Sequence, residues 1–151
     1  MKRIFLFLAG FIVLASCKGP SDIPYTELDH YFFKNGQVIP DNPIINTEET
    51  FATLFGMAPI MGEGGKPTTV DFGKEFVIAV VYPVTEFHTE LVPESLRMEN
   101  GELEFSYCAL RGEKQSWNIQ PVLLVKVNRE YKTEIVRLAR RFQVLSIDQS
   151  E

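Results

Sequence analysis

The chain has few of the residues that most often carry chemistry. Its 151 residues include two cysteines, two histidines and one tryptophan, which is too few cysteines for a disulfide-rich scaffold. Its net charge of −5 and isoelectric point of about 5.1 argue against a nucleic-acid-binding surface. Apolar residues make up 45% and charged residues 23%, a balance typical of a folded domain and not of a disordered acidic tail.

The common catalytic motifs are also missing. The chain has no Gly-x-Ser-x-Gly elbow, no His-Glu-x-x-His helix and no dinucleotide fingerprint. The glycine-rich residues 62–68 do not match a phosphate-binding loop, because Ile60 stands where glycine is needed and Pro67 follows Lys66. We therefore expect a protein that is not an enzyme and that has no cofactor or metal ion.

Acidic residues are missing from the start of the chain, where the first one is Asp22. Residues 1–16 contain Lys2 and Arg3, followed by an apolar run over residues 4–14. A helix needs about 20 apolar residues to cross a bilayer, so this run is too short to span it and has the length of a secretory signal. Removing the two cations from the net charge of −5 leaves −7 for the remaining chain.

The apolar run ends in Leu14-Ala15-Ser16-Cys17, which resembles the lipobox of bacterial lipoproteins. The resemblance implies that a signal peptide at 1–16 is removed and that the Cys17 thiol and new amine are acylated. We expect a lipid anchor in the bacterial cell envelope, on the periplasmic side of the outer membrane rather than on the surface. An ordinary signal peptide with an incidental cysteine is the alternative.

The remaining residues divide into a tether and one domain. Residues 17–24 are rich in Gly, Pro and Ser, which predicts a short tether. Residues 25–151 are enough for a single domain with one hydrophobic core. Residues 25–33 fit a strand, although their apolar spacing also allows a helix.

Local patterns predict an α+β domain that is mainly antiparallel β, either a sandwich or a rolled sheet. Asn46 is a capping residue with Glu49 three positions later, which predicts a short helix over 47–55 that ends at Gly56. Residues 76–82 are continuously apolar, as in a strand covered on both faces. Residues 85–92 alternate, as in a strand with one buried side.

Two hairpins are predicted in the second half of the chain. Asn100-Gly101 is the preferred pair for a type I′ turn. Residues 122–127 and 133–139 are expected to form a second hairpin. The first turn fixes four opposed pairs, of which the third is expected to be a salt bridge: Glu99/Glu102, Met98/Leu103, Arg97/Glu104 and Leu96/Phe105.

A few side chains could in principle form a site. Glu86, His88 and Glu90 share one side of a strand, but a strand spaces such side chains about 7 Å apart, so they cannot converge on one ion without another element. We interpret them as a solvated polar face. His30 beside Asp29 has no further signal.

The remaining candidates are also interpreted as structural. Cys108 has no second thiol once Cys17 is acylated and no base nearby, so we expect an inert, packed thiol at the end of a strand. Trp117 is expected in the core. The arginines could touch anionic headgroups, although we expect them to be solvated: Arg137, Arg140 and Arg141.

Two stretches resemble the C-terminal domain of PrcB-type protease-complex subunits. They are Val-Asp-Phe-Gly-Lys-Glu-Phe-Val-Ile-Ala-Val at 70–80, and Gln115-Ser116 leading to the Gln-Pro-Val-Leu-Leu-Val segment at 120–125. Residues 85–88 depart from the Gly-Gly-Tyr-like segment of that family. The resemblance, over about 44–127, implies a small β-rich binding domain without an assigned active site.

These observations favour a non-catalytic envelope lipoprotein that binds another envelope or secreted protein, with a protease among the candidates, and no nucleic acid. One alternative is a lipid-anchored hydrolase or small-ligand binder that uses Cys108 or the side chains of Glu86, His88 and Glu90. Another is a structural protein of the envelope.

Overall fold

The computed structural model describes residues 21–145, which form ten strands and one short helix. The helix α1 is Glu48–Leu54, and a 3₁₀ turn follows at Arg129–Tyr131. No helix in this part of the chain is both long and apolar enough to span a bilayer. The strands are β1 Ser21–Asp22, β2 Thr26–Glu27, β3 Tyr31–Phe33, β4 Ile44–Ile45, β5 Phe55–Met57, β6 Glu75–Val81, β7 Thr85–Glu99, β8 Glu102–Ile119, β9 Val122–Asn128 and β10 Val136–Val144.

Strand β6 is buried on both sides, as its continuous apolar sequence predicts. Phe76 and Ile78 pack on one side of the sheet, and Val77 packs on the other. All three have no exposed surface. Such a strand needs a layer of structure on each face, and this requirement sets the arrangement of the other elements.

The domain has three layers, with β6 in the middle one. The middle sheet has the order β2-β9-β6-β4, and an outer sheet has the order β1-β7-β8-β10. The sandwich core lies between these two sheets, and the helix-side core lies between the middle sheet and α1 with the β3-β5 pair. The predicted α+β class with mostly antiparallel strands is therefore confirmed.

The first hairpin has the predicted register at all four pairs from Glu99/Glu102 to Leu96/Phe105. The φ angles of 52° at Asn100 and 79° at Gly101 are those that a type I′ turn requires. The predicted Arg97–Glu104 salt bridge is wrong. Arg97 Nε lies 3.2 Å from Asp22 Oδ1, since β1 pairs with this part of β7.

The second predicted hairpin is wrong. Strand β9 has β6 on one side, and on the other side β2 pairs with Val125 and Lys126 in the middle of the strand, so a hairpin partner cannot pair along its full length. The chain instead crosses through the 3₁₀ turn to the outer sheet. There β10 pairs in parallel with β8, from Val136 beside Leu103 to Val144 beside Arg111.

The start of the domain also differs from the prediction. Residues 25–33 form two short strands in different sheets, separated at His30, whose φ angle is 66°. Ser21 pairs with Met98, and Ile23 is buried in the sandwich core. Residues 21–24 therefore belong to the packed domain and not to a tether, so the predicted boundary at residue 25 is wrong.

The helix lies where it was predicted, but both of its ends differ. Thr47 is the N-cap, and its Oγ1 accepts a hydrogen bond from the amide of Thr50 at 3.2 Å. The Asn46 side-chain oxygen is buried without a partner within residues 21–145. The helix stops at Leu54, and the expected terminator Gly56 lies inside β5.

Replacing Thr47 by Ala should lower the free energy of unfolding by about 1 kcal/mol, because one amide of the first turn loses its acceptor. Asn46→Ala is the matched control and should cost less, since its main-chain carbonyl still accepts from Arg129 Nη2. Urea unfolding of the two variants measures the difference. A larger loss for Asn46→Ala would contradict the assignment of the cap.

Candidate protein-binding surface

Strand β10 forms an open edge of the outer sheet. It pairs with β8 along its full length, and no strand within residues 21–145 pairs with its other side. An edge strand exposes unpaired N–H and C=O groups, which can pair with a strand of another chain. At nine residues, β10 is long enough for such pairing.

Most of the side chains on one side of β10 are apolar. Val136 points into the sandwich core and is buried. Because side chains alternate along a strand, Leu138, Phe142 and Val144 point to the same side as Val136. They are 41%, 48% and 55% exposed, so core packing ends at the first residue of β10. We call Leu138, Phe142 and Val144 the β10 apolar surface.

The three arginines of β10 do not form one basic patch. Arg137 Nη2 lies 3.0 Å from Glu102 Oε2, and Arg141 pairs with Glu94. Arg140 points to the opposite side from Arg137 and Arg141. It therefore lies between Leu138 and Phe142 on the side of the β10 apolar surface, with its guanidinium carbon 5.8 Å from the centre of the Tyr82 ring. Because each arginine already contacts an acid or an aromatic ring, this arrangement does not favour the binding of anionic lipid headgroups.

The far end of the β10 apolar surface meets a cation–π pair on the long hairpin. The guanidinium carbon of Arg111 lies 3.5 Å from the centre of the Phe87 ring. Arg111 is also the register partner of Val144, and its carbonyl accepts from the Leu145 amide at 2.8 Å. This stacking covers Phe87 beyond the end of the sandwich core and holds a cation beside the apolar side chains.

Trp117 is 61% exposed, so the prediction that it packs in the core is wrong. The cause is an irregularity in the β7–β8 ladder. Phe87 pairs with Lys114 and Thr85 with Ile119, so β8 advances five residues while β7 advances two. Trp117 lies in this bulged part of β8, where it presents the type of side chain that often anchors protein interfaces.

The polar side chains of β7 face outward as predicted, but they have separate partners. Glu86 Oε1 lies 2.9 Å from Lys114 Nζ, and His88 Nδ1 lies 3.2 Å from Gln115 Nε2. Glu90 is in no ion pair within residues 21–145, and after burial and the charge of Asp29 its charge helps to raise the pKa of Glu27. In residues 21–145 no group of three His, Cys, Asp or Glu side chains could hold a metal ion.

Cys108 lies in the middle of β8 and not at the end of a strand, as was predicted. The thiol is on the outer side of the sheet, because Tyr107 and Ala109 point into the sandwich core. Its residue is only 2% exposed, so the predicted packing is confirmed. Arg141 is its register partner, and hydrogen bonding to Glu94, followed by the charge of Cys108, raises the pKa of Arg141.

A concave surface, separate from β10, lies beside α1. It is a cavity of about 320 Å³ between the helix, the β3-β5 pair and residues 69–72. Its charged residues are Lys34 and Glu48, and the Lys34 ammonium donates to the carbonyl of Ala52. The rest of the lining is mainly apolar and includes four aromatic residues: Tyr31, Phe51, Phe55 and Phe72.

The chain was compared with protein-family models, curated proteins and solved structures, and none of them matched. The two segments that resemble the PrcB-type domain lie on neighbouring strands, because residues 70–80 lead into β6 and residues 120–125 into β9. Cys17 and the predicted signal peptide lie outside the described residues.

Thiol labelling can test how Cys108 is covered. Cys108 should react slowly with a thiol reagent at neutral pH, as read from the mass of the peptide that contains it. Arg141→Ala should speed labelling severalfold, because it removes the side chain paired with Glu94 beside the thiol. Arg137→Ala, which breaks the similar pair with Glu102, should leave the rate unchanged. Equal acceleration by both variants would show that general loosening of β10 exposes the thiol.

Proposed function

We propose that the chain is a lipid-anchored protein of the bacterial cell envelope that binds another protein and catalyses no reaction. The lipobox-like sequence that ends at Cys17 supports the anchor. The β10 apolar surface, on an edge strand with no partner on its outer side within residues 21–145, carries the proposal of protein binding. A peptide strand added to this edge would gain main-chain hydrogen bonds and cover these side chains.

The chemistry of the candidate residues supports a non-catalytic role. Cys108 is buried, and a thiol needs access and a nearby base to act as a nucleophile. Glu86 and His88 contact different partners and do not converge on one point. No cofactor or metal is needed for the proposed role.

The sequence supports the proposed location and partner. Acids are missing between Cys17 and Asp22, which favours the periplasmic side of the outer membrane over surface display. The resemblance to PrcB-type subunits makes a protease one candidate for the partner. An acidic domain without a basic stripe is a poor fit to nucleic acid.

The cavity beside α1 supports a second candidate function. Its volume of about 320 Å³ is at the lower end of the range for small-molecule pockets, and its lining is mainly apolar. A lipid-anchored binder of a small apolar ligand would use this cavity and leave β10 uncovered. The two functions therefore place the binding partner at different sites on the domain.

The anchor is tested by the mass of the mature protein from membranes of the native host. We expect cleavage before Cys17 and the added mass of a diacylglycerol and an acyl chain. Cys17→Ser should abolish both changes, because the thiol is the group that receives the lipid. Ser16→Ala keeps a small residue before the cleavage site and should be processed normally. Membrane-bound protein with an unmodified Cys17 would contradict the anchor.

The binding surface is tested by site-specific photo-crosslinking in intact cells. A photoreactive residue in place of Phe142 should capture one discrete envelope protein, and Leu138→Glu should weaken that capture at least severalfold. The same residue in place of Val38 is the control, since Val38 is apolar and 83% exposed but lies far from β10 in sequence. Capture from both positions, or from neither, would contradict the proposal. Capture only from Ala52, beside the cavity, would favour the second candidate.

A further inference from the structure

The described chain starts at the hairpin end of the outer sheet. Ser21 pairs with Met98 and Asp22 with Arg97. The Asn100-Gly101 turn comes directly after Glu99, one residue beyond Met98. The start of the packed domain is therefore next to the tip of the β7–β8 hairpin.

Few residues separate this point from the proposed anchor. Ser21 follows Cys17 by four positions. A chain segment spans at most about 3.6 Å per residue, so the Cα atoms of Cys17 and Ser21 can be no more than about 14 Å apart. A lipid on Cys17 would therefore hold the hairpin tip close to the headgroups.

The hairpin is much longer than this connection. Strand β7 has 15 residues, and at about 3.3 Å per residue a straight strand of that length extends for roughly 45 Å. Its far end is the pair of Thr85 with Ile119, close to Trp117. The β10 strand runs parallel to β8, so Val144 is nearer to that far end than Val136 is.

Charge opposes a flat arrangement of the outer sheet on an anionic bilayer. Its outward side carries glutamates that are in no ion pair within residues 21–145, and these are Glu90, Glu99 and Glu104. Those that are paired, such as Glu86 with Lys114, add no net positive charge. Anionic headgroups repel a surface of this kind. Contact of the hairpin tip with the bilayer is therefore favoured over contact of the whole outer sheet with it.

We infer that the lipidated protein stands on its hairpin end, with Trp117 and the Val144 end of β10 directed away from the bilayer. This inference rests on the proposed anchor at Cys17. Its consequence concerns the partner, because a surface held away from the membrane meets proteins from the aqueous compartment. A partner that contacts Phe142 and Val144 is then reached from the aqueous compartment, and we expect a water-soluble protein there. Leu138 lies beside Phe105, nearer to the hairpin tip and the bilayer.

Trp117 is the single tryptophan of the chain, so its fluorescence reports on the far end directly. The lipidated protein is placed in vesicles of phosphatidylethanolamine and phosphatidylglycerol that carry a nitroxide on a fraction of the headgroups. We expect no quenching of Trp117 by these lipids, and ready quenching by aqueous iodide because the side chain is 61% exposed.

The matched protein carries Trp117→Phe together with Glu99→Trp, which moves the single tryptophan to the exposed hairpin tip. Here the labelled lipids should quench the fluorescence strongly, by at least severalfold. Strong lipid quenching of Trp117, or none in the Glu99→Trp protein, would overturn the upright orientation while the anchor stands. Protein that does not float with the vesicles and has an unmodified Cys17 would overturn the anchor, and the orientation with it.

Discussion

The structure depends on the burial of β6 on both of its sides. Phe76 and Ile78 contribute to the sandwich core, while Val77 contributes to the helix-side core. Its neighbour β9 divides its side chains in the same way, with Val125 on one side and Leu124 on the other. A sheet of this kind is stable only as a middle layer, so it requires both the outer sheet and the layer of α1 with β3 and β5.

A mismatch in strand length leaves one end of the outer sheet uncovered. Strands β7 and β8 have 15 and 18 residues, whereas β6 and β9 have seven each. The middle sheet cannot cover the whole outer sheet, so part of the outer sheet extends past the sandwich core. Trp117 and the stacking of Arg111 on Phe87 lie in this uncovered part. Leu138 and Phe142 instead lie beside the core residues Phe105 and Ala109, and they are exposed because β10 is the edge strand of the outer sheet.

The sequence predicted what depends on neighbouring residues. The Asn100-Gly101 turn fixed the hairpin register because its φ angles are set by two residues, and the apolar run of β6 marked a strand buried on both sides. The apolar residues at 136, 138, 142 and 144 also indicate a strand there, but they do not indicate that its partner is β8 and not β9.

The predictions that failed depend on distant parts of the chain. The place of β10 is decided by β2, which occupies the edge of β9 that the expected hairpin needed. The exposure of Trp117 depends on how many residues β7 contributes opposite the bulge in β8. The Arg97–Glu104 pair failed because β1 brought Asp22 to the same arginine. Local sequence patterns carry no information about which of two distant segments will pair with a given strand or side chain.

Native-state hydrogen exchange tests most directly whether a doubly buried β6 leaves β10 as an open edge. The amides of Val77 and Ile78 should exchange only through global unfolding, and they should be among the slowest in the domain. The β10 amides that point away from β8 should exchange orders of magnitude faster than those of Val77 and Ile78 in the isolated protein. Equal protection of β10 and β6 would show that the edge is already covered, which would contradict the account.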